Sequence, residues 1–268
     1  MTLAELIIAS AILSMIVVTM AALSQAVQQN SDYGDGHGEA AQHARVTLSR
    51  VCRTVNEASA NASFPGLLVL STQVANWQFP DTLVVWYPQR TTSNPQGLPS
   101  APAGLPLFQE LVIYCPQPGS PNNLLEITDP GDTRTVPAWT DLTGWSTQVA
   151  ALVASKTTTQ TVLTDLLRTA VVTGTSNTTP RGMIRFVTRM EPTAAQWTSY
   201  QQAQLAWNSL SWAQSLYGAT TGLRQVWLRI EMQLVPGEAS RPTDPTGNGA
   251  IPFFGSATLY YQMPRGST

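Results

Sequence analysis

The sequence predicts an α+β fold: a long N-terminal hydrophobic helix packed on an antiparallel β-sheet head with helical insertions. Three observations lead there. Leu6 to Leu23 contains no charge, Gly or Pro, and is long enough to span a bilayer as one helix. Gln225–Val235 alternates strictly, with Val226, Leu228, Ile230, Met232 and Leu234 on one side and Trp227, Arg229, Glu231 and Gln233 on the other. That is the period of a half-buried antiparallel strand. Between Trp145 and Tyr217, helical patterns interrupt an otherwise strand-like series.

The elements follow in order. Residues 1–30 form the hydrophobic helix. Residues 31–66 continue it towards the head, interrupted by Gly34, Gly36 and Gly38. Each glycine weakens a helix by up to about 1 kcal/mol relative to Ala, so a break is expected here. Helical pattern resumes at Ala40 and carries Val46, Leu48, Val51 and Val55 until Pro65 and Gly66 end it. Residues 67–268 make a β-rich head with a helical insertion at 145–217. Strands are expected at Leu67–Thr72, Thr82–Tyr87, Glu110–Cys115, Met183–Met190 and Ser256–Met263. Pro88 to Pro106 reads as loop. Trp145–Ser155 and Gln160–Val171 read as short helices, and Ala195–Tyr217 as a longer one.

Composition narrows the function. Net charge is −2 over 268 residues, 11% of residues are charged, and Lys156 is the only lysine. There is no basic stripe for nucleic acid. No GxSxG, P-loop or HExxH occurs, so no enzyme class is indicated. No CxxC or CxxCH occurs either, which leaves zinc ribbons, thioredoxin-type sites and c-type haem unsupported. No cofactor is expected. Asp32, Asp35, His37 and Glu39 lie close enough to suggest metal ligands. Their glycine-rich setting reads rather as a solvated hinge, and no metal site is assigned. His37 and His43, six apart, fall on different faces of a continuous helix.

Glu5 is the most informative residue. It is the only charged side chain in the first thirty-one residues, at the head of the apolar helix. A carboxylate deep in lipid costs about 2.5–3.5 kcal/mol and calls for a partner. No Lys or Arg precedes Arg45, so the candidate partner is an α-amino group.

Thr2-Leu3-x-Glu5-Leu6 opening an apolar helix resembles the mature N-terminus of a type IV pilin or pseudopilin. The motif covers roughly the first tenth of the chain. The resemblance implies a leader removed before Met1, methylation of Met1, and pairing of Glu5 with the Met1 amine of a neighbouring subunit. It also implies a homo-oligomeric helical filament outside the cell, with the inner membrane, a prepilin peptidase and the pilus assembly machinery as earlier partners. Many members carry Pro where Ala22 stands here, which moves the expected break to the glycines. An exported site favours a disulfide between Cys52 and Cys115, with two buried thiols as the alternative. Some pseudopilins bind calcium near the C-terminal strands, but Asp244–Gly249 holds one carboxylate and reads as a turn. The eight tryptophans, Trp197, Trp207 and Trp212 among them, fit core packing or subunit and sugar contacts equally.

The leading expectation is a structural filament subunit. A minor pilin or a type II secretion pseudopilin at the tip is the alternative within the family. A membrane-anchored sugar-binding or enzymatic ectodomain is the alternative outside it.

Overall fold

A computed structural model describes residues 3–88, 94, 96–100, 104–173, 178–206, 209–210, 223–236 and 249–262; the side chains of Glu5, Ala194, Gln201, Leu223 and Gln262 are outside that description. It combines a long N-terminal helix with antiparallel sheets, an α+β architecture.

The first helix, α1, runs from Leu3 to Asn56 without a break, 54 residues and roughly 80 Å long. This corrects the expected interruption at Gly34, Gly36 and Gly38. The physical reason is cooperativity. A break would orphan backbone groups at two new helix ends, up to four at each. Three glycine penalties of about 1 kcal/mol are smaller than that when strong helix flanks both sides. A methyl group added at Gly34 or Gly38 would meet nothing within 4 Å, so neither glycine serves close packing within the chain.

Five strands form one antiparallel meander: β1 (Leu67–Val74), β2 (Trp77–Trp86), β3 (Leu111–Gln117), β4 (Ser120–Thr128) and β5 (Thr159–Thr164). A two-stranded ribbon, β6 (Thr169–Thr173) with β7 (Thr178–Gly182), follows. A second sheet has the order β10-β9-β8, from β8 (Ile184–Glu191), β9 (Leu223–Leu234) and β10 (Ile251–Gln262). Helix α2 (Leu142–Ala154) lies between β4 and β5, and α3 (Ala194–Gln201) between β8 and β9.

Two sequence expectations fail here. Gln160–Val171 is not a helix but most of β5 and the start of β6. Its threonines favour the pleated surface, and β4 offers a free edge that β5 pairs with from Thr128 to Leu124. The long helix from Ala195 ends at Gln201, where Ala203 turns to φ 58° and closes it. Trp207, Trp212 and most of Asp244–Gly249 lie outside the described residues. The described part of 145–217 therefore holds four strands as well as two helices, and is not a purely helical insertion.

The five-stranded sheet is buried on both faces. Leu83, Val85, Val112, Tyr114 and Leu124 join one core with the inner side of β9 and β10. Val84, Trp86, Ile113, Cys115 and Leu125 join the other, under Trp145, Val149 and Leu152 of α2. Runs such as Leu111-Val-Ile-Tyr-Cys115 are continuous for that reason.

The C-terminal part of α1 contributes Ala40, Ala44, Val51 and Val55 to the first core. Arg50 donates two bonds of 2.6 Å to Glu126, and Tyr114 Oη–H donates to Thr54 Oγ1 at 2.9 Å. The outer edge of β10 is met by the same helix: Cys52 Sγ–H donates to the Ser256 carbonyl, and Thr258 N–H donates to Asn56 Oδ1. Gly255 permits this, because a methyl group there would lie 2.9 Å from Leu48 Cδ2.

The expected Cys52–Cys115 disulfide is absent; both thiols are free. Adjacent strand residues point to opposite faces. Tyr114 faces α1, so Cys115 faces α2, and the sheet separates the two sulfurs. Denatured, unreduced protein should therefore label two thiols with a maleimide reagent; labelling of neither would restore the disulfide.

Candidate functional site

The most conspicuous exposed surface is the first half of α1. Its best 18-residue window has a mean hydropathy of 2.6 and none of it is buried. Met15 is 72% exposed and Leu23 67%. By length and composition the helix can cross a membrane. Apolar residues cover its whole circumference rather than one stripe, the pattern of a helix immersed in an apolar medium. Its hydroxyls are already satisfied: Ser10, Ser14 and Thr19 donate to the carbonyls of Ile7, Ala11 and Ile16 at 2.8–2.9 Å. Past its first turn the backbone of that stretch is bonded within the helix, and these three hydroxyls need no water.

The polar border begins at Asp32. Asp32, Asp35 and Glu39 share one helical face, with His37 opposite. His37 Nδ1 lies 3.0 Å from the Tyr33 carbonyl, and its ring lies 3.9 Å from the Tyr33 ring. No group of three potential metal ligands occurs among the described residues. His43 sits one and a half turns on, 3.2 Å from Thr164 Oγ1 and 3.8 Å from Asp165. The two histidines thus form no pair. Met1 and the Glu5 side chain lie outside the described residues, while the Glu5 backbone is helical.

The head holds a second site with no sequence signal. Asp81 on β2 is only 2% exposed. Its Oδ1 accepts from Thr72 Oγ1 at 2.8 Å and Thr82 Oγ1 at 3.4 Å. Its Oδ2 is 3.4 Å from Arg181 Nη1 of β7. A bulge turns Asp81 inward: Leu70 pairs with Thr82 and Thr72 with Phe79, so Pro80 and Asp81 oppose Ser71 alone. Gly182 brings β7 close, since a methyl group there would lie 2.3 Å from the Pro121 carbonyl oxygen. Burial pushes the Asp81 carboxyl above the usual carboxylate range, opposed by Thr72 and Arg181. Burial also pushes the nearby Cys115 thiol up to about 12, far from the thiolate form. Glu110 is another buried carboxylate, held by N–H groups of Trp86, Ser100 and Leu107 in the turn before β3.

No protein-family model, curated protein or solved structure matches the chain. Fold and surface together define an α+β protein with an uncovered apolar N-terminal helix.

The Asp81 shift sets a pH dependence. With a raised folded value, the folded state holds the proton where the unfolded chain has lost it. Stability from this group is therefore full below the ordinary carboxylate range and falls as pH rises through the window above it. Thermal unfolding of the full chain in detergent, against Asp81→Asn, should show the wild-type advantage shrinking with rising pH. A difference that grows with pH would contradict this.

Proposed function

We propose that this chain is a structural subunit of an extracellular type IV pilus-like filament and polymerises through its N-terminal helix. One observation carries the reading: the first part of α1 is apolar on every side and uncovered, yet the same helix continues unbroken into the head. A helix of that kind requires an apolar medium in two situations. Before assembly the medium is the inner membrane. In the filament it is a bundle of identical helices, which exchange lipid for one another. The head then forms the outer surface.

Glu5 supplies register. Alone it is poorly tolerated in an apolar bundle; beside the Met1 amine of a neighbour it is paired, and pairing favours one axial offset between subunits. Met1 is correspondingly the processed and methylated end, produced by a prepilin peptidase before the assembly machinery extracts the subunit. The protein is read as structural and not as an enzyme. A minor pilin or secretion pseudopilin at the tip is the second reading. It is favoured by the size of the stretch between β4 and β8, which adds α2 and three further strands to the head.

Glu5→Ala makes the helix more apolar, so membrane insertion should persist. Removing one partner leaves the neighbour's amine buried and unpaired, a loss of about 3–5 kcal/mol per subunit, which corresponds to about two to four orders of magnitude in the addition equilibrium. Sheared filament yield should collapse while the membrane fraction keeps the subunit. Undiminished yield would overturn the assignment of Glu5, and a subunit stoichiometry of a few copies per filament would favour the tip reading.

A further inference from the structure

The buried Asp81–Arg181 pair does not sit in a filled core. It lines a cavity of about 830 Å³ bounded by β1, β2 and β3 on one side and by α2 on the other. Ligand pockets are typically about 300–1,000 Å³, with mostly apolar walls and a few polar groups that fix orientation. This one falls in that size range and is more polar, with Gln73, Gln117, Ser146 and Gln160 on its walls. Leu70, Val149 and Val153 give apolar walls, and Thr72, Asp81 and Arg181 converge as the polar group.

Three further features mark a built site. A bulge falls on one of its β walls, at Pro80–Asp81, and the register of β3 with β4 shifts beside it at Pro116–Gln117 because β4 carries the extra residues 121–123. Bulges re-aim side chains and gather beside binding sites. The ion pair is long, 3.4 Å, and leaves Asp81 Oδ2 with capacity to accept another hydrogen bond. Arg181 Nε is buried with no hydrogen-bond partner among the described residues, and an unmade bond at a buried charged donor is costly.

The geometry points to a binding site for a neutral polyhydroxylated ligand, a saccharide, with vicinal hydroxyls bridging Asp81 and Arg181. One hydroxyl donates to Asp81 Oδ2, and its neighbour accepts from the Arg181 guanidinium. The charge balance selects neutrality. The cavity carries one carboxylate and one guanidinium, so an anionic ligand meets Asp81 and a cationic one meets Arg181. A metal ion is not indicated, since no set of three ligand side chains is present among the described residues. The site does not depend on the filament reading.

The test uses the full chain in detergent on an array of neutral, sialylated and sulfated glycans. Ala150 lines the cavity on the exposed side of α2, so Ala150→Trp blocks the mouth without touching the core. Arg181→Gln removes the guanidinium fork and its charge, leaving a shorter neutral amide. Arg50→Gln serves as a control far from the cavity. Wild type and Arg50→Gln should retain a neutral class, and Ala150→Trp and Arg181→Gln should each weaken it about tenfold or more. Should Arg181→Gln fail to fold by circular dichroism, Ala150→Trp decides alone. No retained glycan, retention of charged glycans only, or binding indifferent to Ala150→Trp would overturn the proposal.

Discussion

An apolar helix that its own chain leaves uncovered must be covered by something else, and the rest of the structure depends on that constraint. Each large aliphatic side chain removed from water contributes about 1.5–3 kcal/mol. The uncovered part of α1 presents many, from Leu3 through Val27. Lipid and like helices are both adequate cover, because both are apolar and neither asks the backbone to give up a hydrogen bond. The internal bonds of Ser10, Ser14 and Thr19 make the stretch indifferent to which cover it has. On the proposed filament reading, Glu5 is the group that is not indifferent and through which a choice between the two is made.

The second half of the same helix is bound to the head by contacts of a different kind. Val51 and Val55 are fully enclosed, Arg50 is paired bidentately with Glu126, and Cys52 and Asn56 meet backbone groups on the edge of β10. An exposed strand edge is a template for unwanted pairing. Here the helix occupies part of it. Because α1 is continuous, the orientation of the apolar half fixes the direction in which the head leaves it. A glycine joint would have uncoupled the two; an unbroken helix transmits the geometry of one to the other.

Much of this was legible in the residues. The Leu6–Leu23 run reports an unbroken apolar length and the alternation of Val226 to Leu234 reports burial of one strand face, and both elements appear where the pattern puts them. Other features depend on partners that a linear reading does not hold. Gln160–Val171 has enough leucine to read as helix, and becomes strand because β4 presents an edge. Ser120–Thr128 is not among the strands expected from the residues, and forms β4 by pairing with β3. The cysteines suit a disulfide by compartment, and only the facing of Tyr114 and Cys115 across β3 separates them. Asp81 and Arg181 stand 100 residues apart, and nothing near either one announces the other.

Electron cryomicroscopy of filaments sheared from cells that express the chain bears most directly on the account. Residues 3–30 of α1 should form the helical core, the helix should stay continuous through Gly34–Gly38, and each Glu5 carboxylate should lie within hydrogen-bonding distance of a neighbour's Met1 amine. A chain found only as a monomer in the membrane fraction, or a filament whose core lacks this helix, would contradict it.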